Sequence, residues 1–110
     1  MAEVLWAPPS DVRERSRIGT WMRHLDEAHA LRFDDYDAVW RWSVEDLEAF
    51  WGSVWDHFGL IAHAPRERVL GDRAMPGARW FPGATTNYAE NVLARAPAGV
   101  AVVARSQTRD

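Results

Sequence analysis

The sequence contains no cysteine, no lysine and no long apolar run. The first absence removes disulfides, thiolate zinc sites and cysteine nucleophiles. The second is just as restrictive. All 13 basic residues are arginine, so there is no Schiff-base lysine, no phosphate-loop lysine and no lysine general base. A GC-rich coding sequence accounts for the bias. Nothing approaches the roughly 20 consecutive apolar residues that span a bilayer. The opening MAEVLWAPPSD places an acid where a secretory signal carries basic residues. A cytoplasmic location and no membrane partner are therefore expected. A net charge of −3 also lacks the basic surplus that phosphate neutralisation requires, so no nucleic-acid partner is expected.

What is present describes a soluble globular chain. Its 110 residues make one domain at most, and 47% hydrophobic with 26% charged residues is an ordinary balance that argues against disorder. Residues 1–9 read as an extended arm, with Pro8-Pro9 blocking helix. Ser10 is placed to cap a helix running to about Leu31, in which Ile18, Trp21, Met22, Leu25 and Ala28 recur at helical spacing. Gly19 makes a break near 16–19 plausible, with Ser16 capping the restart. Residues 32–37 form a hinge, and Asp34 or Asp35 can cap a short helix over 36–42. Ser43-Val44-Glu45-Asp46 approximates a capping box for the next helix. There Leu47, Phe50, Trp51, Val54, Trp55 and Phe58 make a stripe, and Gly59 ends it.

Beyond Gly59 the character changes. Residues 66–70 suit a short strand, Gly71-Asp72 and Met75-Pro76-Gly77 are turn signals, and Arg79-Trp80-Phe81 is a short extended piece. Asn87 with Glu90 opens a helix to about Arg95. Val100-Ala101-Val102-Val103-Ala104 has the continuous apolar character of a strand buried on both faces. The predicted fold is mainly α with short strands: a helical cap over residues 10–96, leading through 97–110 into the first strand of an α/β domain. Residues 99–110 are expected to be mobile or borrowed into a neighbour's sheet.

No arrangement of residues here carries catalysis. His24 and His29 are five apart, off the i, i+4 spacing of a helical metal pair, and no HExxH occurs. No metal site is expected. The acidic groups Asp34, Asp35, Asp37 and Glu45, Asp46, Glu48 sit at predicted helix starts, where capping explains them; a general acid–base pair is the alternative. The stretch GARWFPGA lacks the lysine and the glycine density of a phosphate loop. Seven tryptophans are the unusual feature. Those at 21, 51 and 55 fall on core stripes. Trp40, Trp42, Trp80 and Phe81, with Asn87 and Tyr88 at the start of the last helix, are candidate interface residues covered by another domain. Arg41 between two tryptophans offers base stacking as a minor alternative.

Two segments carry a family resemblance. Phe33-Asp34-Asp35-Tyr36, Trp40-Arg41-Trp42-Ser43-Val44-Glu45-Asp46 and Phe50-Trp51 form one. Met75-Pro76-Gly77-Ala78-Arg79-Trp80-Phe81-Pro82-Gly83-Ala84 followed by Asn87-Tyr88-Ala89-Glu90-Asn91-Val92-Leu93 form the other. Together they resemble the N-terminal part of acetoacetyl-CoA synthetases, within the acetyl-CoA synthetase-like adenylate-forming ligases of lipid metabolism, and the likeness runs to about Ala104. One departure is Thr86, where the family usually has leucine. The resemblance implies a cap-like segment of an AMP-forming ligase. That ligase makes acetoacetyl-CoA from acetoacetate, ATP and CoA through an acyl-adenylate, with Mg²⁺. The family's phosphate loop, adenosine-contacting motifs and catalytic lysine match nothing in this chain. It is thus expected to have a structural and docking role, inactive alone, with the remaining ligase domains as partner. The alternative is a free-standing, aromatic-rich helical interaction module.

Overall fold

The structure, a computed structural model, describes residues 3–108; the outer ends of the expected arm and tail, Met1-Ala2 and Arg109-Asp110, lie outside them. It is mostly helical with a few short strands, and it divides into two compact units, residues 1–59 and 60–110. The division falls at Gly59, where α4 (Leu47–His57) has ended and the backbone takes φ 52°.

The first unit holds four helices. After an irregular arm comes α1 (Val12–Arg15), a single turn that starts at Asp11 rather than at Ser10, with no side chain capping it. Ser16 then accepts a hydrogen bond from the Gly19 N–H and starts α2 (Arg17–His29), so the expected restart occurs. Gly19 itself is not a break. It is buried inside α2, where the backbone of α1 passes against it: a Cβ there would lie 1.8 Å from the Arg13 carbonyl oxygen. Ala30 closes α2 in the left-handed conformation, φ 54°.

Asp35 caps α3 (Tyr36–Glu45) through the Ala38 N–H at 2.8 Å, as one of the two predicted carboxylates. The next boundary differs from the sequence-based expectation. Ser43 does not begin a helix; it lies within α3, and its hydroxyl donates back to the Trp40 carbonyl at 2.6 Å. Asp46 is the residue that caps α4, accepting from the Ala49 N–H. One carboxylate at 46 thus separates two helices joined without a loop.

The core of this unit is Trp21, Met22 and Leu25 from α2 with Val39 from α3, flanked by Leu31, Phe33, Trp42, Phe50 and Val54. Leu25 is fully buried. Trp21 meets Phe50 edge-on at 5.5 Å and Trp42 at 6.2 Å, arrangements the aromatic quadrupole favours. Its indole Nε1 is buried without a hydrogen-bond partner, a cost of about 1–3 kcal/mol that the aromatic burial must exceed. Arginine ties the periphery together. Arg23 reaches the carbonyl oxygens of Arg13 and Glu14 in α1. Arg13 in turn donates to those of Phe33 and Asp34 ahead of α3.

The second unit has two antiparallel strand pairs and one helix. β1 (Ala62–Ala64) pairs with β4 (Thr85–Thr86), and β2 (Leu70–Asp72) pairs with β3 (Arg79–Trp80). The strand expected over 66–70 is displaced to 70–72, because its register is set by Leu70 opposite Trp80. β1 had no sequence signature, its Ala-His-Ala being poor in β-formers. Asn87 caps α5 (Tyr88–Leu93), as expected, although the helix stops short of Arg95.

The apolar run 100–104 takes no regular structure, and Val100, Val102 and Val103 are 84%, 82% and 71% exposed. The strand character read from the sequence is not realised within the described residues, where the expectation was of a segment mobile or borrowed into a neighbour's sheet. An isolated segment becomes a strand only by pairing, and among the described residues no strand pairs with it.

Candidate docking surface

In the second unit, the polar side chains of Asn87-Tyr88-Ala89-Glu90-Asn91 all work inside the unit. Asn87 Oδ1 accepts from the Glu90 N–H at 3.0 Å. Glu90 Oε2 lies 2.6 Å from His63 Nε2 and links α5 to β1; this exposed pair contributes about 0–1 kcal/mol. Asn91 does more. Its Oδ1 accepts from the Ile61 N–H at 2.8 Å, and its Nδ2 donates to the Ile61 carbonyl at 3.0 Å and the Asn87 carbonyl at 2.9 Å. One side-chain amide therefore pairs with both backbone groups of the residue before β1.

Tyr88 is the exception in the motif, at 86% exposed. Val92 follows it one turn later, with Leu93 alongside, and both are exposed. At the end of β3, Trp80 is also exposed, whereas Phe81 is half-buried. The Phe81 N–H donates to the Val69 carbonyl at 2.7 Å, and its φ of 46° swings the chain into Pro82-Gly83.

In the first unit, Trp40 is 56% exposed, and Val44 continues its stripe one turn along α3. Trp42 faces the other way. Its ring sits 5.1 Å from Phe33 and 5.6 Å from Phe50, in the core. Of the six residues singled out from sequence, Trp42 thus packs inside its unit and Asn87 acts as a helix cap. Trp40 and Tyr88 offer the most open apolar surface. The i, i+4 partners Val44 and Val92 were missed, although their spacing from Trp40 and Tyr88 was readable.

Two concavities in the first unit are lined mainly by apolar surface. One of about 320 Å³ includes Pro8, Val12, Ile18, Met22 and Tyr36 in its wall. Another of about 230 Å³ lies against Ile18, Trp21, Phe50, Val54 and Phe58, with Arg17 beside them. Neither wall contains a histidine or a cysteine. Among the described residues, no three His, Cys, Asp or Glu side chains are grouped to hold a metal ion, and no helix is long and apolar enough to cross a membrane. Partial burial, and secondarily the neighbouring His24, hold His57 below the ordinary imidazole pKa.

Similarity to known proteins extends over most of the chain. The sequence model described as acetyl-coenzyme A synthetase N-terminus matches residues 36–92, just over half of the chain. The acetoacetyl-coenzyme A synthetase of Rhizobium meliloti (strain 1021) is 34% identical over 105 residues, covering 96% of this chain and 16% of that protein. The acetoacetyl-CoA synthetase of Xenopus tropicalis is 32% identical over 84% of this chain and 14% of its own length. A solved structure, acetoacetyl-CoA synthetase from Streptomyces lividans, superimposes with a TM-score of 0.75 at 43% identity, over 81% of this chain and 14% of that one. The chain thus spans about one-sixth or less of the relatives it matches. With the matched segment running from the first residue of α3 into α5, the chain belongs to the acetyl-coenzyme A synthetase N-terminus family.

Proposed function

We propose that this chain serves as the N-terminal segment of an AMP-forming acyl-CoA synthetase of the acetoacetate–CoA ligase type, with a structural and docking role. In that reaction acetoacetate attacks ATP to give the acyl-adenylate and pyrophosphate, and CoA then displaces AMP to give acetoacetyl-CoA. ATP, Mg²⁺ and CoA are handled by the other domains of the ligase, in the cytoplasm. The observation that carries this reading is the division of labour in the 87–91 motif. Its polar members are engaged within the unit, whereas Tyr88 and the adjoining Val92 and Leu93 remain exposed. Apolar side chains held outward by a rigid polar framework suit contact with a further domain. Trp40 with Val44 is a second such surface.

Two measurements test the proposal. Acetoacetate-dependent ATP–pyrophosphate exchange by the 110-residue chain with Mg²⁺ should stay at the buffer level; exchange above it would refute a non-catalytic role. In a ligase carrying this segment, Tyr88→Ser with Val92→Ser should lower the melting temperature of the whole enzyme while leaving that of the 110-residue chain unchanged. Equal melting of the whole enzyme with and without the two substitutions would refute docking through α5.

A further inference from the structure

Three histidines, His24 and His29 on α2 and His57 at the end of α4, have no part in the surface described above. His24 and His57 are both half-buried, their rings 4.8 Å apart and tilted by 48°. His29, one turn beyond on α2, meets His24 edge-on at 5.8 Å. Two helices therefore contribute three imidazoles in single file. The Phe58 ring lies edge-on to that of His57, at 5.0 Å.

The charges around this file do not neutralise it. On α2, Arg23 is turned away, bound to Arg13, Glu14 and Thr20. Asp26 and Glu27 of the same helix are exposed, as is Asp56 next to His57 on α4. None of the three imidazoles forms an ion pair or hydrogen bond among the described residues; the histidine that does is His63 in the other unit. The one ionisable group whose charge perturbs His57 is another imidazole, that of His24. Nor do the three rings gather at a point where a metal ion would be held. The proton is the ligand to which such a file responds.

We infer that His24 and His57 form a proton-operated latch. As neutral rings they pack where α2 meets α4, and protonation of both drives the helices apart, so that the helical unit loosens on acidification. The direction follows from linkage. Partial burial and the adjacent His24 lower the pKa of folded His57, so the unfolded chain binds more protons than the folded one. The stabilisation is complete above the ordinary imidazole value. It is lost as pH falls through that value and on through the lower, folded one. The latch adjoins the core: His24 precedes the fully buried Leu25, and Trp21 lies one turn before it on α2.

The test combines an NMR titration of the imidazole protons with tryptophan-monitored melting of the 110-residue chain at about pH 7.5 and about pH 5.5. His57 should titrate below the ordinary imidazole value, and in His24→Gln its titration should move upward. The fall in melting temperature between the two conditions should be larger for the wild type than for His24→Gln or His57→Gln. Carboxylates and the His63–Glu90 pair are common to all three proteins and cancel. The two variants probe the same contact from opposite helices, so failure of one to fold leaves the other decisive. The inference is overturned if His57 titrates identically in His24→Gln, or if wild type and variant lose equal stability. It is equally overturned if Zn²⁺ raises the melting temperature of the wild type and not of the variants, which would make the file a metal site.

Discussion

Replacing Gly19 with alanine isolates the closest backbone approach in the helical unit. The added Cβ would stand 1.8 Å from the Arg13 carbonyl oxygen and 2.6 Å from its carbon. Both are main-chain atoms, so no rotamer change relieves the clash. Because real Cβ contacts essentially never fall under 3.0 Å, α1 must withdraw by more than an ångström. That movement strains the hydrogen bonds from Arg23 to Arg13 and Glu14 and from Arg13 to Phe33 and Asp34. Overpacking of this kind costs about 1–3 kcal/mol. Charge-assisted bonds to carbonyls are worth about 1.5–3 kcal/mol each, less where exposed as here. Alanine returns roughly 0.5–1 kcal/mol in helix propensity. The net expectation is a loss of about 2 kcal/mol, or a fall in melting temperature on the order of 10 °C. Urea or thermal unfolding followed by tryptophan fluorescence measures it. A Gly19→Ala chain as stable as the parent, or more so, would refute the reasoning, since propensity alone would then decide and α1 would not lie against α2.

Substitutions at four further positions probe other joints. Asn91→Ala removes both bonds to the Ile61 backbone and should cost about 1–3 kcal/mol, with hydrogen-exchange protection of the Ile61 amide lost first. Asp46→Ala should cost about 1 kcal/mol as the loss of an N-cap, and Ser43→Ala distinctly less; the reverse order in denaturant unfolding would restore the capping-box boundary at 43. Trp21→Phe removes the unpartnered indole N–H and should be destabilising by under about 1.5 kcal/mol, whereas Trp21→Ala should cost roughly 3–5 kcal/mol in the same assay.

What the sequence revealed follows the range of the interactions involved. Caps at Ser16, Asp35 and Asn87 act over three residues, and each was readable from residue type and position. The α2 stripe Trp21, Met22, Leu25 and the inward Phe50 and Val54 of α4 follow from periodicity alone. Ser43 misled because a mid-helix serine bonded to its own preceding turn looks the same, as a letter, as a serine opening a helix. Gly19 was recognised as special, but the reason lies six residues earlier in a different helix, which no local pattern reports. β1 depends on pairing Ala62 with Thr86, and the docking candidates divided on which way Trp40 and Trp42 face. These are matters of packing between segments distant in the chain.

The Asn91 amide bears on how short β1 survives. Three residues paired on one side with β4 would ordinarily leave the approach to the strand open to any passing chain with unpaired backbone groups. By engaging both the donor and the acceptor of Ile61, a side chain only one amide long takes the position where an intruding strand would start to zip. The backbone N–H and carbonyl of Ile61 are thereby engaged by a single residue of the α5 motif. Its loss should show as concentration-dependent association, beyond any loss of stability.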